Sequence, residues 1–350
     1  MSPRVRLHAS VLAGLLGACG PGDRDGAVFE PTGAPPTSTA GDGGGTASAT
    51  GGDGTGAASA GTAGASTASG ETGNMPKFDV GAGTGASAGD DGGGTGGCAR
   101  IDLLFVMDIS ASMLEEKQNL AANFDAFVQV LDDHIAADNG FSGYRIGVTN
   151  SSVNRTVQGC TTTMGFDGRL FDGNGNCGLG ADPWIEGPSP NAKDQFACLA
   201  VNPIPAGGGT DCGHEVPLEV VEKFGGELAP GKANEGFYHK DANSLLVVVI
   251  PTDEDEDPDS MSNPTQAKAF LDGLAGGEDR YGVVVIAGPG PGPCMGAFGD
   301  AIFAEKLQTF TDLVPNGFFG SICQGDLAQT LATALEEMVV TCDNLPPPEG

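Results

Sequence analysis

Three oxygen-bearing side chains occupy alternate positions in Asp108-Ile109-Ser110-Ala111-Ser112. Alternate residues of an extended segment face the same way, so one carboxylate and two hydroxyls can converge on a point. Hard oxygen donors in that grouping suit a hard divalent cation: Mg2+, Ca2+ or Mn2+. The same residues also suit a helix cap, because Ser and Asp accept hydrogen bonds from the first turn of a helix. These five residues alone leave both readings open.

The elements around them must decide. Leu103-Leu104-Phe105-Val106-Met107 is an apolar run without a polar break. It predicts a strand buried on both faces, as in the middle of a parallel sheet. Ligands of open α/β sheets bind where the chain leaves the carboxyl ends of such strands. After the run, Leu120, Phe124, Phe127, Leu131 and Ile135 recur at helical spacing and predict one helix from about Ser112 to Ala136, ended by Asn139-Gly140. Tyr144 to Asn150 reads as a second strand.

From about Val153 to Gly209 the periodicity breaks down into a turn-rich insertion with Cys160, Cys177, Cys198 and the single Trp184. Within it, Asp172, Asn174 and Asn176 have the spacing of a calcium loop. However, Cys177 stands where that loop needs Gly, and no Glu closes it, so a plain turn is expected. Alternation resumes afterwards. A helix is predicted at Glu215 to Phe224, then an apolar strand at Ser244 to Pro251 ending in Thr252-Asp253. The remaining elements are a helix at Thr265 to Leu274, a strand at Tyr281 to Ala287, a helix at Asp300 to Leu313, a strand at Gly317 to Ile322 and a helix at Gly325 to Val340. This order implies a doubly wound, mostly parallel α/β sheet flanked by helices.

The N-terminal region has a different composition. Arg4 and Arg6 precede a short apolar core, Val11 to Leu16, too short to span a membrane. It runs into Leu16-Gly17-Ala18-Cys19, which resembles a bacterial lipobox, in which cleavage precedes a cysteine that takes lipid. The resemblance implies a signal peptide at 1–18, a lipid anchor at Cys19 and export to the cell envelope; Gly20 after the Cys is compatible with the outer membrane. Residues 19–97 contain long stretches of Gly, Ser, Thr and Ala with little to bury, which predicts a disordered tether. Roughly 60–80 such residues have a root-mean-square span of about 45–50 Å. The folded part is expected at 98–343, with a short tail at 344–350. The net charge of −30 argues against nucleic acid as a partner.

The chain from Cys98 to Cys342 resembles a von Willebrand factor type A domain with a metal-ion-dependent adhesion site. Asp108-Ile109-Ser110-Ala111-Ser112 matches the first part of that motif in full. Thr210, after three glycines, is the best match for the motif's Thr, with Thr161, Thr162 and Thr163 as fallbacks. Asp253 matches the final Asp. The resemblance implies a divalent cation held by Asp108, Ser110, Ser112, Thr210 and Asp253, with one position left for an acidic residue of a protein ligand. The family commonly has Gly after the last Asp. Here Glu254-Asp255-Glu256-Asp257 follow, which leaves open whether Asp253 or Asp255 faces the site; Asp253 directly follows the strand and is preferred.

Apart from Cys19, eight cysteines remain, an even number that reads as four disulfides in an exported chain. Cys98 with Cys342 would join the domain's ends, and Cys294 with Cys323 would tie two late strands. Cys160, Cys177, Cys198 and Cys212 supply the other two pairs, with their pairing open. The expected function is a tethered binding module rather than an enzyme. Two rivals remain: a structural envelope protein whose metal only braces its edge, and a metal-assisted hydrolase built on His214, Glu215 and Asp211 beside Thr210.

Overall fold

The computed structural model describes residues 97–345, apart from 138–140, 239–242, 297–298 and 326. The signal segment, Cys19, nearly all of the tether, Asn139-Gly140 and residues 346–350 lie outside the described residues.

The core is a six-stranded sheet. Its strands are β1 (Arg100–Met107), β2 (Gly143–Asn150), β5 (Trp184–Gly187), β6 (Ser244–Pro251), β7 (Tyr281–Ala287) and β10 (Gly317–Ser321). They lie in the order β10-β7-β6-β1-β2-β5. All neighbours run parallel except β5, which pairs antiparallel with β2 at the edge. Two short hairpins stand apart from it: β3 (Arg155–Val157) with β4 (Cys160–Thr162), and β8 (Cys294–Met295) with β9 (Asp300–Ala301).

The apolar runs are explained by burial on both faces. Along β1, Ile101, Leu103, Phe105 and Met107 enter one core cluster, while Leu104 and Val106 enter the other. The first cluster is closed by helices α1 (Leu114–Ala122), α2 (Phe124–Ala136), α3 (Ala192–Ala200) and α7 (Leu327–Asp343). The second is closed by α4 (Pro217–Glu227), α5 (Pro264–Ala275) and α6 (Glu305–Leu313). Helices on both faces of a mostly parallel sheet are the doubly wound arrangement expected from the alternation. In the first cluster Phe124 stacks on Phe196 at 3.7 Å between ring centroids, with Phe105 edge-on to both.

Several local expectations change. The long first helix is two helices, broken at Asn123, whose backbone leaves the helical region. The Asn123 amide donates to the Asn119 carbonyl, a side-chain bond that competes with the helical ladder. The insertion holds more regular structure than its turns imply: it contributes the edge strand β5 and the helix α3. The helix expected from Asp300 begins at Glu305, because Asp300 and Ala301 pair with Cys294 and Met295. At Asp172 the carboxylate accepts from the Asn174 amide N–H, closing a tight turn on its own backbone.

Four disulfides close the domain. Cys98–Cys342 and Cys294–Cys323 form as expected, and the open pairs resolve as Cys160–Cys212 and Cys177–Cys198. At the ends, the Cys98 amide also donates to the Cys342 carbonyl at 2.8 Å. Among the described residues, no helix is long and apolar enough to cross a membrane.

Among the described residues, one carboxyl lies inside the sheet. Asp102 on β1 is fully buried, and burial pushes its carboxyl up to about 7 against the pull of Arg145 and Arg100. Its ordinary value is 3.8. Between those values the folded chain holds a proton that the unfolded chain releases. This contribution to stability is therefore present at low pH and is lost as pH rises toward 7. Asp102→Asn should gain on the wild type by roughly 2 kcal/mol between pH 5 and 8. Urea unfolding at the two pH values checks this; an unchanged difference would mean the carboxyl is already ionised at pH 5.

Candidate metal centre at the sheet edge

The chain leaves β1 toward β2 and β5 on one side, then crosses to β6, β7 and β10 on the other. The sheet therefore changes winding direction between β1 and β6. Loops diverge there at the carboxyl ends, leaving a crevice. Asp108 follows β1 and Asp253 follows β6, so the two carboxylates come from the two sides of this crevice.

Asp108 is fully buried. One carboxylate oxygen accepts the Ser110 N–H at 2.7 Å, and the other accepts the Thr252 hydroxyl at 2.7 Å. These bonds fix the carboxylate and curl the loop over it. The Ser110 and Ser112 hydroxyls lie 3.0 Å apart, and Ser112 is exposed. The hydroxyls thus form the outer side of the cluster and the carboxylates its floor. Asp253 is 5% exposed and sits beside Ser112 and Asp108. Burial, with the Asp108 charge beside it, pushes the Asp253 carboxyl up to about 6. One of its oxygens is buried without a hydrogen-bond partner.

The adhesion-site motif did not include the next member, Glu215, which the sequence offered only for a hydrolase. It is 1% exposed and accepts a bond from the Ser151 hydroxyl, directly after β2. Burial, then the nearby Asp108 charge, drives its carboxyl well above the usual range. Its second oxygen also has no partner. Glu116 in the first turn of α1 closes another side, raised by burial and by Asp253 and Asp108 among its neighbours. A Cβ on Gly299 would lie 1.8 Å from a Glu116 oxygen, so this carboxylate rests directly against the Gly299 backbone of the β8–β9 hairpin. Buried, clustered carboxylates with unpartnered oxygens are costly unless protons or cations compensate them.

One internal cation serves the cluster in part. Lys117 is 4% exposed, and its ammonium donates to the carbonyls of Asp108 at 3.1 Å and Ser110 at 3.4 Å. Burial lowers its pKa, while the charges of Asp108, Glu215, Asp253 and Glu116 hold it up.

The remaining expected site residues are placed as follows. Thr210 is exposed, and its backbone pairs with Thr163: the Thr163 N–H donates to the Thr210 carbonyl, and the Thr163 hydroxyl accepts the Thr210 N–H. Thr161 bonds Thr156 across the β3–β4 hairpin, and Thr162 is buried. None of these contacts involves Asp108. Asp255 turns away and accepts the N–H groups of Lys306 and Leu307 at the start of α6. Of the proposed set, the structure brings together Asp108, Ser110, Ser112 and Asp253, and adds Glu215 and Thr252.

No protein-family model and no curated protein sequence matches the chain. Among solved structures, crystal form 2 of proximal thread matrix protein 1 from the mussel byssus is similar at 10% identity and a TM-score of 0.35. The similarity covers 70% of this chain and 49% of that one. The pilus adhesin SpaC from Lactobacillus rhamnosus GG, in its open conformation, is similar at 10% identity and a TM-score of 0.33. Here 70% of this chain and 30% of that one are covered. The chain thus spans less than half the length of either.

Proposed function

We propose that the domain is a von Willebrand factor type A-like binding module that holds a divalent cation, Mg2+ or Ca2+, at the crevice between β1 and β6. The observation carrying this reading is the meeting of Asp108, Ser110, Ser112, Asp253 and Glu215 at one winding switch, with unpartnered carboxylate oxygens on Asp253 and Glu215. All donors are oxygen, the set preferred by hard cations. Ser110 and Ser112 bring no charge to the open side, and Lys117 offsets part of the carboxylate charge beneath. An ion so held keeps an attraction for an incoming carboxylate. The ligand class is therefore a protein or peptide presenting Asp or Glu. With lipid at Cys19 and a long tether, the module would capture this ligand away from a bacterial envelope surface.

The test uses full-length protein and immobilised peptides that differ only by Glu or Gln. Capture of the Glu peptide in Mg2+ or Ca2+, lost on EDTA addition, is the expected result. Equal capture of both peptides, or capture that survives EDTA, would remove the cation from recognition. It would then favour an edge braced only for structure.

A further inference from the structure

His214 plays no part in the cluster around Asp108. The sequence places it beside Asp211 and Glu215, but the fold gives it a different partner. Its Nδ1 lies 2.9 Å from an Asp257 carboxylate oxygen. Asp259 completes the group, so that one ring nitrogen and two carboxylate oxygens lie within 4.8 Å of one another.

Three connections from different parts of the chain hold this group. The Asp257 N–H donates to the Glu215 carbonyl at 2.8 Å, fastening the loop after β6 to the segment leading into α4. Gln158, on the β3–β4 hairpin, donates to Asp259 at 3.2 Å. The Cys160–Cys212 disulfide anchors the chain two residues before His214. The donors are thus presented by cross-linked loops rather than by one flexible segment.

A bare imidazole nitrogen and a carboxylate oxygen repel at 2.9 Å, so a proton or a metal cation must lie between them. Metal–donor bonds of about 2.1 Å place two donors on one ion about 3.0–3.4 Å apart, close to the 2.9 Å between His214 and Asp257, with Asp259 within 4.8 Å to close on the ion. The surroundings favour a divalent ion. Glu254 lies within electrostatic reach of Asp108 and Asp253 and, less strongly, of Asp257 and Asp211, so it adds negative charge to both groups, while the Lys306 ammonium is directed to the carbonyls of Glu256 and Asp257. Asp259 is exposed, and His214 and Asp257 are partly so, which gives an ion and a completing water access from solvent. The imidazole sets the class of ion, because a nitrogen donor favours Zn2+ and its neighbours over Mg2+ or Ca2+.

We infer that His214, Asp257 and Asp259 form a second metal site, selective for a borderline transition-metal ion of the Zn2+ class and independent of the Asp108 cluster. Such an ion would clip the loop after β6 to the segment before α4.

The test is calorimetric titration of Zn2+ into metal-stripped full-length protein, in excess Mg2+ to occupy hard-ion sites. One Zn2+ per chain is expected. His214→Ala and Asp259→Asn should each weaken binding about tenfold or more, while Asp108→Asn should leave it unchanged. Asp259→Asn changes an exposed side chain, which guards against a folding failure in the His214 variant. Co2+ gives a second readout through its ligand-field absorption, which should disappear in His214→Ala. No Zn2+ uptake in Mg2+, or uptake untouched by both substitutions, would overturn the site and leave a proton-bridged His214–Asp257 pair. Loss of Zn2+ binding in Asp108→Asn would overturn it equally, by placing the ion at the other cluster.

Discussion

Asp108→Asn should abolish stabilisation by Mg2+ or Ca2+ while leaving the metal-free protein at least as stable as the wild type. The two halves of this expectation have separate causes. Asparagine keeps an acceptor for the Ser110 N–H and can donate to Thr252, so the loop retains its shape. It removes the charge that faces Glu215 and Asp253, which relieves repulsion when no cation is bound. In the wild type, an ion at about one hundred times its dissociation constant should add about 2.7 kcal/mol. For a domain of this size that corresponds to a rise of roughly 5–10 °C in melting midpoint. Thermal unfolding of both proteins with EDTA and with each ion measures the difference. An equal rise in both would place the stabilising ion elsewhere.

Replacing both Cys98 and Cys342 by alanine should lower stability by about 4–5 kcal/mol. This disulfide spans 244 residues and closes almost the whole folded region. In the chain-entropy account, the cost of losing a crosslink grows with the loop it closes, so this pair should outweigh Cys177–Cys198, whose separation is 21. Urea unfolding of the two double variants gives the comparison. A loss below about 1 kcal/mol for the first pair would mean that backbone bonds, such as Cys98 N–H to Cys342 carbonyl, already hold the ends together.

The contrast between what was legible and what was missed follows from how each element is buried. Strands β1, β6 and β7 are covered on both faces, so their apolar runs mark them directly. Strand β5 has four residues between Pro183 and Pro188, in a turn-rich segment, too short to show a period. Helix α3 was missed because its buried face rests mainly on Phe196 and Leu199 within nine residues. At the site, Asp108, Ser110, Ser112 and Asp253 adjoin strand ends and could be placed through the motif resemblance, with Asp253 preferred over Asp255. Glu215 could not, because its position depends on Ser151, 64 residues earlier, and on a loop with no periodicity. The acidic run after Asp253 was ambiguous in sequence. The fold divides its roles: Asp255 caps α6, Glu256 accepts the Leu218 N–H from within α4, and Asp257 meets His214.

The central claim is that a divalent cation binds at the crevice between β1 and β6. Its most direct test is calorimetric titration of Mg2+ and Ca2+ into metal-stripped full-length wild type, Asp108→Asn and Ser112→Ala. One saturable ion per chain in the wild type is predicted, with binding lost in Asp108→Asn and weakened in Ser112→Ala. No binding in the wild type, or binding unchanged in both variants, would contradict the claim and leave Asp108, Ser110 and Ser112 as the turn that seats the first helix.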